Sequence, residues 1–292
     1  MPTQPGFLRH LVACNRAEPS DYLPFTIAGT AVGRVRRDIA ARLAEFPDLF
    51  AVSVHEVALH PGFGDFAARS AALDEAVDRM VKIGLAPKRR NEAYPVAARF
   101  TDAPLARLDR GAVATLGVRA YGVHVNGYVR APDGLALWIG LRARDKLVAP
   151  GKLDNLVAGG QPIGLSLTQN LIKECAEEAD LPEALARQAR AVGAITYAMA
   201  VPEGLRADTL FVYDLALDPG FVPRNTDGEI ESFALMPVDA VAERLRATDD
   251  VKFNVNLVII DFLIRHGVIA PDHPEYLDLV AGLHRDHPDF WR

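Results

Sequence analysis

Cysteine is scarce in this chain of 292 residues: only Cys14 and Cys175 occur, far apart and in no CxxC or Cys/His spacing. That excludes a disulfide framework and a cysteine-built zinc site, and it suits a reducing, cytoplasmic setting. Long basic runs are also missing, and the formal net charge is −6, so nucleic acid is not an expected partner. Long apolar runs are missing too. The longest uncharged one, residues 191–201, is too short to span a bilayer, and Asp261 and Arg265 interrupt the other candidate. The N-terminus has no basic stretch leading into a continuous apolar core, so it reads as an amphipathic first helix of a soluble protein with no membrane partner. No GxSxG, P-loop or Rossmann glycine pattern stands in its required context, which leaves acyl transfer, nucleoside triphosphatase and dehydrogenase chemistry without support. Internal repeats and low-complexity tracts are absent as well.

What is present is ordinary globular material, half hydrophobic and about a quarter charged, long enough for two compact units. Up to about residue 98 the patterns mix. Residues 33–46 and 66–83 have the apolar spacing of helices, whereas residues 49–59 alternate like a strand. Residues 100–111 carry polar, Pro and Gly punctuation without periodicity, and the domain junction is expected there. Beyond it, residues 118–129 and 135–141 read as strands joined by a turn at Ala131, Pro132, Asp133 and Gly134. A helix over 168–179, strands at 191–201 and 210–217, and helices at 238–247, 251–266 and 276–283 complete the expectation. Strands around one central helix, with more helices at the C-terminus, predict a sheet between helical layers. The expected division is an α+β N-terminal domain of unknown role, residues 1–112, and an α/β/α sandwich, residues 113–292.

The segment from Gly159 to Leu181 carries the chemistry. Ser166 followed by Gln169 is a capping-box pattern, and Pro182 lies past the far end, so one helix has both ends marked. At about 100° per residue, Leu171, Ile172, Cys175 and Ala179 share one arc, and Glu174, Glu177 and Glu178 share the adjacent one. Three crowded carboxylates on a partly buried arc need a cation, and hard oxygen ligands select Mg²⁺ or Mn²⁺. Such a cation keeps waters and engages substrate phosphates, which points to phosphate chemistry. Gly159 and Gly160 would let the backbone approach a ligand closely. Arg142 and Arg144, two apart at a predicted strand end, project to one face and could clamp diphosphate oxygens. Solvated surface side chains are the alternative reading for both the glutamates and the arginines. His124, in an apolar run, reads as a packed residue, and Asn126 with Gly127 reads as a turn or as a close approach within a strand.

The same segment resembles the Nudix box: Gly159, Glu174, Cys175, Glu177, Glu178 and Leu181 fall on matching positions. Leu165 stands where the box has Glu, Lys173 where it has Arg, and Asp180 where it has Gly. With residues 138–146, 150–155 and 225–229, the chain is similar to Nudix proteins that carry an extra N-terminal domain of unknown function. These include plant chloroplast Nudix hydrolases and the Nudix portion fused to fungal thiamine pyrophosphokinases. The resemblance implies a Nudix fold with a mixed sheet and a hydrolase dependent on Mg²⁺ or Mn²⁺. It implies Glu174, Glu177 and Glu178 as metal ligands, and Glu178 or Glu229 as general base, with Glu231 the rival of Glu229. The implied substrate is a small-molecule diphosphate, in characterised members a damaged form of thiamine diphosphate cut to the monophosphate. ADP-ribose or another nucleoside diphosphate derivative is an alternative substrate, and a metabolite-binding sensor without turnover is the alternative from another class. A homodimer is compatible with all of these.

Overall fold

The computed structural model describes residues 6–132 and 134–285; residues 1–5, 286–292 and Asp133 of the expected turn lie outside the described residues. In chain order the strands are β1 (Tyr22–Ile27), β2 (Thr30–Arg36), β3 (Phe50–Val52), β4 (Val57–Leu59), β5 (Ala93–Val96), β6 (Ala106–Asp109) and β7 (Arg119–Ala131). They continue with β8 (Gly134–Arg142), β9 (Leu153–Asp154), β10 (Val157–Gly160), β11 (Arg190–Val201), β12 (Gly204–Ala216) and β13 (Ile230–Pro237). The helices are α1 (Leu8–Cys14), α2 (Arg37–Leu43), α3 (Phe66–Lys82), α4 (Val113–Leu116) and α5 (Leu167–Ala179). After these come α6 (Glu183–Ala186), α7 (Val238–Ala247), α8 (Phe253–Arg265) and α9 (Tyr276–Leu283).

The first unit is α+β, as expected. A four-stranded sheet in the order β2-β1-β4-β3 and a separate β5-β6 pair enclose a core with α2 and α3. That core takes in Val113, Leu116 and Val118, so the unit continues past residue 112. Helix α1 packs elsewhere: Phe7, Leu11 and Cys14 belong to a core built by α7, α8, α9 and the faces of β11 and β12. The proposed division near residue 112 therefore has α1 docked across it.

The second unit is an α/β/α sandwich on a mixed sheet ordered β11-β12-β7-β8-β13, with β10 added to β7 and β9 to β8. Strand β7 organises it. Along one edge it runs parallel to β12, and along the other it is antiparallel first to β10, at Gly122 to Val125, and then to β8, at Tyr128 to Ala131. Its alternation sends Val123, Val125 and Val129 into the core beneath α5, which leaves His124 and Asn126 on the opposite face. Helix α8 is buried without interruption from Asn254 to Leu263, as a helix apolar all round must be.

Several expectations need correction. The apolar spacing over 33–46 is not one helix, because β2 continues to Arg36 in register with β1 and the helix starts at Arg37. Residues 49–59 form two short strands, not one. The punctuated stretch 100–111 contains β6, whose Ala106 and Leu108 are buried while Arg107 is exposed. Strand β12 starts at Gly204, earlier than residue 210, because the polar Arg206 and Asp208 broke its apolar pattern. Strand β13 was not expected at all. It is an edge strand, largely exposed, and its pairing with β8 supplies what its own composition lacks.

Candidate active site

Helix α5 carries the glutamates, and both of its ends are built as local chemistry dictates. The Ser166 hydroxyl accepts from the Gln169 N–H at 3.2 Å while the Gln169 side chain accepts from the Ser166 N–H at 2.9 Å. At the other end Asp180 takes the left-handed conformation, φ 53° and ψ 36°, and the Leu181 N–H returns to the Cys175 carbonyl at 3.0 Å. Between these caps the helix is fastened to the edge of β10. The Asn170 amide donates to the Gly160 carbonyl at 2.8 Å, and the Ala158 N–H donates to Glu178 Oε2 at 2.8 Å.

The three glutamates are not equivalent. Glu174 and Glu178 are buried, at 9% and 5% exposure, whereas the Glu177 side chain is 47% exposed. Lys173 bridges Glu174 at 3.2 Å and Glu177 at 2.6 Å. Among the described residues no basic side chain is ion-paired with Glu178. Burial drives its pKa well above the ordinary carboxylate value, the Ala158 N–H opposes this, and the charges of Asp154, Glu174 and Glu229 push the same way as burial. Glu174 is also raised, first by burial, with Lys173 opposing. Among the described residues no three His, Cys, Asp or Glu side chains stand close enough together to hold an ion unaided. The donor set still fits a hard divalent cation that completes its shell with substrate oxygens and water, because two buried carboxylates lack sufficient positive charge and every donor is oxygen.

Beside this edge lies a cavity of about 600 Å³, walled by Ala158, Gly159 and Gly160 and floored by Gly122 and His124 of β7. The first unit closes it with Tyr94 and Arg110, and the start of α8 closes it with Lys252, Phe253 and Asn254. Six basic residues line it (Arg90, Arg110, Arg142, Lys146, Arg206 and Lys252), against three acidic ones, Glu203, Asp208 and Glu229. A chain of net negative charge thus presents a net positive cavity, which attracts an anion.

A model described as a domain of unknown function, DUF4743, matches residues 6–120. The whole chain is similar to Nudix hydrolase 24, chloroplastic, of Arabidopsis thaliana, at 41% identity over 282 residues, 95% of this chain and 77% of that protein. Nudix hydrolase 20, chloroplastic, of the same organism is 41% identical over 289 residues, again 95% of this chain and 77% of that protein. The chain belongs to the Nudix hydrolase family. Among solved structures it is similar to the Nudix domain of Shewanella oneidensis NrtR complexed with ADP ribose, at a TM-score of 0.40 and 12% identity over 51% of this chain and 88% of that one. On its likeness to the two plant proteins, this chain is a hydrolytic enzyme of the Nudix type.

The departures from the Nudix box have local explanations. Lys173 delivers its charge to Glu174 and Glu177 without the planar fork of Arg. Asp180 occupies the left-handed position that Gly would hold, and it is ion-paired with Arg224. The residue at 165 offers its carbonyl to the Gln161 amide at 2.7 Å.

Other expected site residues are placed differently. A Cβ on Gly159 would lie 2.2 Å from Glu174 Cδ, and one on Gly160 would lie 1.6 Å from the Tyr94 hydroxyl. The glycines therefore make room for those two side chains, and both also line the cavity. Arg142 is buried and held by Asp154 at 2.7 Å and the Val148 carbonyl, although it lines the cavity. Strand β8 ends at Arg142, so its alternation does not reach Arg144, which is exposed and outside the cavity lining. Glu229 lines the cavity and pairs with Lys146 at 2.7 Å, while Glu231 is exposed and accepts from the Arg144 N–H. Gly127 proves to be a packing site, since a Cβ there would meet Leu156 at 2.2 Å.

Sequence reasoning missed Tyr94, Arg110, Lys252, Asn254 and His124, which come from four separate places in the chain (β5, the turn after β6, β7 and the start of α8) and share no local motif. His124 alone left a signal, as a polar residue within an apolar strand.

Proposed function

We propose that this Nudix hydrolase cleaves a diphosphate linkage with Mg²⁺, or Mn²⁺, held at Glu174 and Glu178 with help from Glu177. The observation that carries the reading is the pair of buried carboxylates at the edge of β10, short of positive charge, beside a basic cavity. A divalent cation there would supply neutralisation of diphosphate charge and acidification of the attacking water. Glu178, desolvated and bonded to the Ala158 N–H, is suited to receive a proton, and Glu229 is the second candidate at the cavity wall. Arg90 and Arg206 offer positive charge to the phosphates, whereas Arg142 and Lys252 are engaged by Asp154 and Arg110 by Glu92.

The cavity volume suits a small metabolite and not a bare diphosphate. A thiamine diphosphate derivative is the substrate we propose, on the resemblance to Nudix proteins of this arrangement. In the decisive experiment, purified protein is screened for phosphate or monophosphate release from thiamine diphosphate forms, ADP-ribose, dinucleotides and coenzyme A. Chelation is expected to abolish release, Mg²⁺ or Mn²⁺ to restore it, and Zn²⁺ to restore it poorly, because the ligands are all oxygens. Full activity in metal-free buffer would remove the metal site, and release from ADP-ribose alone would replace the thiamine reading.

A further inference from the structure

A chain of buried side-chain hydrogen bonds runs beneath the cavity floor from α8 to His124. Asp214 is ion-paired with Arg265, at 3.0 Å on one of two contacts, and lies 3.2 Å from His266 Nε2. Asn126 Nδ2 donates to Asp214 Oδ1 at 3.1 Å, Asn155 Nδ2 donates to Asn126 Oδ1 at 2.8 Å, and Asn155 Oδ1 lies 2.8 Å from His124 Nδ1. The direction of this chain is forced. A carboxylate paired with Arg can only accept, so Asn126 must turn its amino group to it and its carbonyl to Asn155. Asn155 must then turn its own carbonyl to His124. Nδ1 of His124 therefore carries the hydrogen, and Nε2 is the ring nitrogen with the free lone pair.

The imidazole lines the cavity, with Nδ1 engaged below and no second partner for the ring among the described residues. Burial, and then the charge of Lys252, hold His124 down at about 4, so the ring is neutral at physiological pH. The same lining holds a second acceptor. Asn254 is 93% buried, from its 7% exposure, and its Oδ1 has no hydrogen-bond partner. A buried acceptor without a donor, as Asn254 Oδ1 is, is costly unless something fills its place.

We infer that His124 Nε2 and Asn254 Oδ1 form a subsite that reads a neutral N–H or O–H donor on the non-phosphate part of the diphosphate. This rests on the hydrolase reading above and specifies the chemistry of its substrate: an organic group with hydrogen-bond donors, not a hydrocarbon. His124 is a specificity residue held in one tautomer by Asp214, Asn126 and Asn155. Asp214 is the charge that sets the direction, and it acts through two neutral amides.

Two measurements on the full chain test this. Long-range ¹⁵N–¹H correlation of histidine-labelled protein at pH 7 should show His124 as the neutral Nδ1–H tautomer. An Nε2–H tautomer or an imidazolium overturns the inference. Calorimetry with Ca²⁺ in place of Mg²⁺ then compares thiamine diphosphate and ADP-ribose, whose organic parts carry such donors, with imidodiphosphate, which has no organic part. His124→Leu should weaken whichever organic diphosphate binds by about tenfold, since the donor is left unpaired, and leave imidodiphosphate unchanged. His124→Gln, able to donate to Asn155 and present its carbonyl to the cavity, should keep most of the affinity. Equal loss for imidodiphosphate, no loss in His124→Leu, or wild-type protein binding neither organic compound more tightly than imidodiphosphate overturns the subsite. Wild-type protein that binds an organic diphosphate but hydrolyses none with Mg²⁺ overturns the hydrolase reading and not the subsite.

Discussion

Asp154 and Glu178 are carboxylates of nearly equal burial, at 2% and 5% exposure, and their surroundings treat them in opposite ways. Burial raises both. At Asp154 the charges of Lys252 and Arg142 overcome it, at 3.0 and 2.7 Å, and the carboxyl is held below its ordinary value. Glu178 meets one backbone N–H, feels the like charges of Asp154, Glu174 and Glu229, and its pKa stays high. The lesson is that burial does not separate a structural carboxylate from one proposed to hold a metal; the presence of an internal counter-charge does.

The comparison breaks most sharply at Asp154. Asp154→Asn leaves Arg142 and Lys252 buried without their partner, and we expect a loss of about 3–5 kcal/mol in urea unfolding. A loss below about 1 kcal/mol would mean that the two cations find water instead.

Glu178→Gln should do the reverse. Turnover with Mg²⁺ should fall by at least roughly a hundredfold, while the metal-free protein is no less stable than wild type. The sign of its pH dependence sharpens the contrast. Glu178 binds its proton to a higher pH in the folded than in the unfolded state. Metal-free wild type therefore loses stability as pH rises from the ordinary carboxylate range through the raised value, and Glu178→Gln should lack that slope. Asp154 contributes in the opposite sense: its stabilisation is present above the ordinary carboxylate range and is lost as pH falls through its lowered value. Parallel unfolding curves for the wild type and Glu178→Gln from acid to neutral pH would contradict the assignment.

Arg144 marks the small end of the scale. Arg144→Ala should change stability by less than about 0.5 kcal/mol, because the side chain is exposed and outside the cavity lining. A large loss in kcat/KM would restore it to the phosphate clamp that its spacing from Arg142 first suggested.

How much of this was legible in the sequence depended on whether the determinant was local. Helix α5 was, because Ser166, Gln169 and Asp180 act within one or two turns of where they stand. The hairpin of β7 and β8, the helices α7 and α9, and the layered second unit were legible for the same reason, from periodicity. Strands β10 and β13 were not, since edge strands take their conformation from the neighbour they pair with. Neither was the division of labour among the glutamates: helical spacing puts Glu174, Glu177 and Glu178 on one arc, but only the approach of β10 buries two and leaves the third outside. Tyr94, Arg110 and Lys252 meet at the cavity through tertiary packing, which no spacing in the chain records.

Helix α1 has a consequence for the order of events during synthesis. It leaves the ribosome well before the helices it packs on, with Cys14 and its partner Phe253 separated by 239 residues. At roughly 5–20 residues per second, the apolar face of α1 waits on the order of ten to fifty seconds for its partners. The first unit can complete its own core within that time, while the second cannot close until α8 and α9 have emerged and α1 has been retrieved.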